Sequence, residues 1–255
     1  MVEIKTPGEI EAMRAAGQVV AKVLAAIKAQ AAPDITLKEL DEIAREILKN
    51  EGATSPFLGY KPMFAPVPFP AVICASLNDE ALHGIPDARR LTDGDLLSID
   101  FGAVLDGWAA DAATSFTVGT PAPEDIRLID TATAALQAGI SQATSGNKVG
   151  DISAAIGKVG RRAGYGINTD FGGHGVGHTM HEDPAVPNEG RPSRGLKLRP
   201  GIVVAIEPWF MAGGRDGYVI ADDGWTIRSA DGSRAAHVEH TVAVTLDGPL
   251  ILTAP

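Results

Sequence analysis

Residues 94–118 read "GDLLSIDFGAVLDGWAADAATSFTV". Asp106-Gly107 is a tight hairpin signal between two alternating apolar runs. A turn there sets Leu105 opposite Trp108, Asp100 opposite Ala113 and Asp111 opposite Gly102. The two acids then share a face as diagonal neighbours, with β-carbons about 7–8 Å apart. Two carboxylates that close repel unless one is protonated or a cation lies between them. Gly102, Ala109 and Ala113 keep that face small, as though to leave room.

The pattern returns. Residues 201–207, "GIVVAIE", again start with Gly, run through apolar residues and end in a carboxylate, Glu207. "HVEHT" (237–241) adds Glu239, flanked by Val238, Val242 and Val244. An unpaired buried carboxylate costs several kcal/mol, so four acids on four apolar strands need a shared cause. A divalent-metal site is the simplest. "GGHGVGHTMHEDP" (172–184) offers nitrogen ligands in His174, His178 and His181. A zinc-binding HExxH helix is excluded, because "HEDPA" lacks the second His and Pro184 breaks a helix. A dinucleotide loop fits poorly, with no suitable strand and helix around it. A turn that brings one or two imidazoles to the acids remains. Four carboxylates and a neutral imidazole balance two divalent cations, and two metals about 3.5–4 Å apart are a recognised hydrolytic pattern. Mostly oxygen ligands with one imidazole suit Mn, Fe, Co or Zn without deciding among them.

The rest of the chain is organised twice over. Thr6-Pro7 opens a helix with Ile10, Met13, Gly17, Val20 and Leu24 on one face. After "PDIT", Leu37, Leu40, Ile43, Ile47 and Leu48 define a second helix that stops at Gly52. From residue 121 the order recurs: a helix after Pro, then one with Val149, Ile152, Ile156 and Val159 aligned and glycine at its end. Strands follow in each half, the last expected as a hairpin of "DGWTIRS" with "AAHVEHTVAVT". A period of about a hundred residues is too long for a solenoid. The reading is a single α+β domain over 1–255, with halves of roughly 1–120 and 121–255 around a shared sheet.

Composition sets bounds. The 255 residues are 45% hydrophobic and 21% charged, enough for a sizeable core. A net charge of −10 argues against a nucleic-acid surface, and the basic run "RPSRGLKLRP" (191–200) reads as a solvated loop. Cys74 is the single cysteine, which fits a reducing compartment. No signal peptide is visible, and the uncharged run 62–78 is too short and too rich in proline to span a membrane. A cytoplasmic protein without membrane or specific nucleic-acid partners is expected.

Taken together, "IKTPGEIEAMRAAG", "LHGIPD" (82–87), 93–116, 172–184, "LRPGIVVAIEPWF" (198–210) and 223–244 resemble the type I methionine aminopeptidases of the pita-bread metallopeptidase family. The resemblance covers nearly the whole chain. It implies two pseudo-symmetric halves around a curved antiparallel sheet, and hydrolytic removal of an N-terminal methionine when the second residue is small. It makes Asp100 a ligand of one of two divalent ions, Asp111 and Glu239 bridging acids, and His174 and Glu207 ligands of the other. Glu207 is also the implied general base. His83 and His181 match histidines near the scissile amide and the substrate carbonyl. Tyr60 and Trp225 match walls of the methionine pocket, and Phe57 stands where the family often has cysteine. Nascent-chain N-termini are the implied partners, with a transient ribosome contact and a monomeric state expected.

The chain also departs from that pattern. The run "FLGYKPMFAPVPFPAV" (57–72) is longer and richer in proline, and Leu82 replaces a cysteine common beside the first histidine. No N-terminal zinc-finger or basic extension is seen, which favours the short bacterial form. As residues alone, Tyr60 and Trp225 more commonly read as core aromatics, His83 as a turn cap at Gly84, and Cys74 as a small buried hydrophobe. Two other functions fit the same fold: a proline-specific aminopeptidase, which generally carries an extra N-terminal domain, and a binding module without catalysis, which typically loses metal ligands.

Overall fold

A computed structural model describes residues 2–63 and 65–254. Helix α1 (Pro7–Gln30) begins at a reciprocal cap: the Thr6 hydroxyl accepts from the Glu9 N–H, and the Glu9 carboxylate accepts from the Thr6 N–H. Helix α2 (Leu37–Glu51) repeats the device with Thr36 and Glu39 and ends at Gly52, whose φ of 67° is left-handed. Strands β1 (Cys74–Leu77), β2 (Glu80–Leu82), β3 (Leu96–Leu105) and β4 (Trp108–Thr117) complete the first half. Asp106 and Gly107 both take positive φ, as a tight hairpin requires, and Asp100 lies opposite Ala113 with Asp111 opposite Gly102. Leu97, Ile99 and Phe101 point to α1 and α2 and bury against Val20, Ile27 and Leu40. The alternate residues, Asp100 among them, face the other way.

The second half has α3 (Pro123–Gln142) and α4 (Val149–Ala163), the latter ended by left-handed Gly164. Its strands are β5 (Gly173–Gly175), β6 (Glu182–Val186), β7 (Val203–Ile206), β8 (Trp209–Met211), β9 (Tyr218–Ile220), β10 (Ile227–Ser229), β11 (Ala235–His237), β12 (His240–Thr245) and β13 (Gly248–Ile251). Ile152 and Ile156 of α4 share a core with Val204, Ile206, Val242 and Val244. The last turn of chain returns to the first half. A Cβ on Gly17 of α1 would lie 2.1 Å from the Leu252 carbonyl oxygen, so the close approach there needs glycine.

The antiparallel strands between the helices fall by backbone hydrogen bonding into four groups, β1-β3-β4, β2-β10-β9, β11-β8 and β13-β12-β7-β5-β6. One expectation changes. The hairpin expected from 223–229 and 235–245 does not form. The chain does reverse between Ser229 and Gly232. However, β10 pairs with β2 and β9, where Arg228 is held by Asp79 and Glu80. The following run splits at Val238 and Glu239, with β11 on β8 and β12 between β13 and β7.

That split brings the halves together. Residues 237–241 run antiparallel to β4, with Ser115 opposite His237, Ala113 opposite Glu239 and Asp111 opposite Thr241. Ala113 and Glu239 exchange backbone hydrogen bonds of 3.3 and 2.9 Å. On either side a hydroxyl replaces direct pairing. Thr241 Oγ1 accepts from the Asp111 N–H and donates to the Asp111 carbonyl. Ser115 Oγ accepts from the His237 N–H and donates to the His237 carbonyl. One strand supplies one hydroxyl and the other strand supplies the second.

Candidate metal centre and active-site cleft

The acids converge on this seam. Asp111 and Glu239 are buried, at 3% and 1% exposure. Asp100 comes from β3, and Glu207 follows β7 directly, ahead of Pro208. His174 comes from β5, and its Nδ1 lies 3.0 Å from the Gly175 carbonyl oxygen. A carbonyl can only accept, so Nδ1 donates there and Nε2 is the ring atom turned to the acids. It faces Glu207 Oε1 at 3.6 Å and Asp111 Oδ2 at 3.8 Å, beyond hydrogen-bond range and near enough for these atoms to ligate one ion between them.

Other observations agree with a cation. One ligand atom from each of Asp111, His174 and Glu239 lies within 4.8 Å of the others. Asp100 Oδ1, Asp111 Oδ1 and Glu239 Oε1 are buried without a hydrogen-bond partner, an arrangement that costs heavily when nothing compensates it. Burial, then Asp111 and Glu207, push the Asp100 carboxyl well above its ordinary range. Burial, then Asp111, Glu207 and Asp100, do the same to Glu239. Burial raises Asp111 to about 6, against the opposing pull of His174. Burial also pushes Glu207 upward, but His237 and His174 outweigh it and hold Glu207 below the usual carboxylate range. An oxygen-rich donor set with one imidazole and orphaned anionic oxygens fits divalent metal ions.

The other histidines divide. His181 packs against His174, ring centres 4.3 Å apart, and stacks on Tyr60 at 5.2 Å. His83 follows β2 in a left-handed conformation, φ 56°, with its ring edge-on to Phe171 and Trp225. Burial lowers His83 to about 4; His181 stays solvent-exposed, and desolvation against its neighbours, with His174 beside it, moves it the same way, so both rings are neutral at neutral pH. His178 lies elsewhere. It stacks on Trp108 at 3.8 Å and bonds the Gly107 carbonyl through Nδ1, pinning its loop to the β3–β4 turn.

The room beside the acids is not left open. A Cβ on Gly102 would meet Met180 Cε at 2.1 Å and Pro56 at 2.9 Å, and Ala109 packs with Val176. The small residues admit the 176–180 segment of the loop that carries His174 and His181.

A cavity of about 380 Å³ opens beside the acids. Phe57, Tyr60, Phe69, Cys74, His83 and Trp225 are among its walls. The run 57–72 closes on Trp225, whose Nε1 donates to the Val67 carbonyl at 2.9 Å; Phe64 of that run lies outside the described residues. Phe69, Phe171 and His237 were not singled out from the sequence. His237 carried a usable signal: it precedes Glu239 by two residues in a strand, the spacing that puts two side chains on one face. Cys74, read as a buried hydrophobe, is buried and lies opposite Asp100.

Comparison with known proteins gives one family. Residues 11–246 match the model of metallopeptidase family M24. Methionine aminopeptidase 1 of Mycobacterium tuberculosis is 50% identical, over 99% of this chain and 95% of its own. Methionine aminopeptidase of Aquifex aeolicus is 42% identical, over 99% and 98%. The crystal structure of methionine aminopeptidase from Thermotoga maritima superposes with a TM-score of 0.95 at 36% identity, covering both chains fully. A prolidase from Pyrococcus furiosus has a TM-score of 0.77 at 22% identity, and this chain covers 65% of it. That last likeness is one of fold.

Proposed function

The chain belongs to metallopeptidase family M24, and on that premise we propose that it is a dinuclear-metal aminopeptidase that removes N-terminal methionine before a small second residue. The single observation that carries the reading is the full-length similarity to methionine aminopeptidases at up to 50% identity. The pita-bread fold and the buried acid–imidazole set support it.

In this reading Asp100, Asp111, His174, Glu207 and Glu239 hold two divalent ions, with Co, Mn, Fe and Zn as candidates. When bound, such ions polarise the scissile carbonyl and acidify water. The chain's residues do the rest. Glu207, kept ionised beside two imidazoles, takes the proton of the attacking water as general base. Neutral His181 donates an N–H toward the carbonyl oxygen as negative charge develops there. His83 stands at the amide side of the cleft and orients the leaving nitrogen. Tyr60, Phe57 and Trp225 enclose an unbranched thioether, which gains dispersion and sulfur–aromatic contact. The substrates are peptide and nascent-chain N-termini. Action as a monomer in the cytoplasm, with transient ribosome contact, completes the proposal. The lone free cysteine supports a reducing location, and no helix among the described residues is long and apolar enough to cross a membrane.

A peptide panel at fixed metal tests it: Met-Ala-Ser, Met-Lys-Ser, Leu-Ala-Ser and Ala-Pro-Ser. Met-Ala-Ser is expected to be cleaved fastest by a wide margin. Preference for Ala-Pro-Ser would replace the methionine reading with the proline-specific one, and no cleavage by metal-loaded protein would favour the binding module.

A further inference from the structure

Glu207 stands between two imidazoles. Its Oε1 lies 3.6 Å from His174 Nε2, and its Oε2 lies 3.6 Å from His237 Nε2. His174 belongs to the proposed ligand set. His237 lies outside that set. It is nevertheless buried, 2% exposed, and its Nε2 has no hydrogen-bond partner within range. The carboxylates facing that nitrogen are Glu207 and, at 3.9 Å, Glu239.

His237 is also held firmly from behind. Ser115 Oγ accepts from its N–H at 2.9 Å and donates to its carbonyl at 2.7 Å. That uses the single proton of Ser115, so Ser98, 2.7 Å away, must be the donor in the Ser98–Ser115 contact. On the other edge, β11 pairs with β8, setting His237 opposite Trp209, and the Val238 N–H donates to the Pro208 carbonyl. The strand that carries the imidazole is thus fastened to the two residues that follow Glu207.

We propose that His237 is a positioning residue for Glu207. Its Nε2, facing Oε2 from 3.6 Å, restrains that oxygen electrostatically, so that Oε1 keeps its direction toward the His174 side of the centre. The terminal torsion of a glutamate is soft, with broad and roughly two-fold preferences. A carboxylate that must both bind a cation and receive a proton cannot be left to rotate. An anchor on the oxygen away from His174 removes that freedom. Partners of this kind behind a metal ligand typically matter by about 10–100-fold in metal affinity or activity.

The inference rests on the role given to Glu207 above, and the test separates the two. His237→Leu, His237→Gln and Glu207→Gln are compared with wild type. Measurements are kcat and KM on Met-Ala-Ser, calorimetric titration with Mn²⁺, and the thermal midpoint. His237→Leu keeps the bulk without the donor. It is expected to lower kcat by about 10–100-fold and Mn²⁺ affinity by about tenfold, with KM within about threefold. His237→Gln retains an N–H donor and is expected to recover most of both losses. Wild-type kcat and Mn²⁺ affinity in His237→Leu would overturn the proposal. So would a His237→Gln as impaired as His237→Leu, because the imidazole would then act through packing alone. Wild-type turnover in Glu207→Gln would remove the base assignment and this inference with it. An inactive Glu207→Gln beside an unaffected His237→Leu would remove only the inference.

Discussion

His83 shows how burial sets the chemistry of one residue. Its ordinary value near 6.5 falls to about 4 because the ring is desolvated, with Glu207 pulling the other way. The folded value lies below the unfolded one, so between about pH 6.5 and pH 4 the unfolded chain binds a proton that the folded chain refuses. The contribution to stability is therefore complete above pH 6.5 and is lost as the pH falls through about 4. A shift of that size corresponds to about 3 kcal/mol at most. The buried acids pushed upward, such as Asp111, act in the opposite sense, so the total slope does not isolate His83. The comparison that does is wild type against His83→Phe by denaturant unfolding at pH 7.5 and pH 4.5. Wild type is expected to lose more stability than the variant on acidification; equal losses would mean that the ring is not kept neutral. The shift at His181 has the same direction, but that side chain is exposed and solvent screens its contribution, so it is left out of this sum.

At the scale of elements, the decisive contact is the seam between β4 and residues 237–241. Two hydroxyls, Ser115 and Thr241, each satisfy one N–H and one carbonyl that direct strand pairing leaves unpaired. Thr241→Val keeps the shape and removes the hydroxyl. The buried N–H and carbonyl of Asp111 then lose their partner, at a cost of about 2–4 kcal/mol. Thr245 lies on the same strand, but its hydroxyl accepts from the exposed Asp247 N–H and donates to the Gly248 carbonyl at a turn that water can reach. Thr245→Val is expected to cost less than about 1 kcal/mol. Urea unfolding of both variants checks this, and equal destabilisation would show that the seam is not special. The β3–β4 hairpin and the four helices were legible beforehand because turn residues, caps and periodicity act within a few residues. The final hairpin was misread for the complementary reason. Alternation identifies a strand, but its partner depends on edges offered by distant segments, here β2, β8 and β7.

For the whole molecule, folding drives acids from both halves into one buried space, and the proposed metal ions would repay that cost. Ions that bind the folded chain and not the unfolded one stabilise it by mass action, about 2.7 kcal/mol at a hundred times the dissociation constant. For a chain of this size that is a rise of roughly 5–10 °C in midpoint. Calorimetric scans of chelator-treated protein with and without Mn²⁺ are expected to show such a rise, together with recovery of peptide hydrolysis. An unchanged midpoint and full activity in metal-free protein would exclude the metal-dependent reading.

The candidate ligands were legible one by one, because Asp100, Asp111, Glu207 and Glu239 each interrupt an apolar alternation where a carboxylate has no structural reason to be. The pairing of Asp100 with Ala113 followed from the turn alone. Strand spacing puts His237 on the face of Glu239, but no local periodicity marks its approach to Glu207 or the closing of run 57–72 onto Trp225. By itself the sequence determined the helices, the first hairpin, which residues were chemically anomalous, and the family resemblance. Only the tertiary structure decided which strand pairs with which, that His178 anchors a loop while His181 faces the acids, and that Glu207 lies between two imidazoles. Local signals act through backbone torsions and adjacent hydrogen bonds, whereas a site assembled from both halves exists only once a distant strand has taken its place.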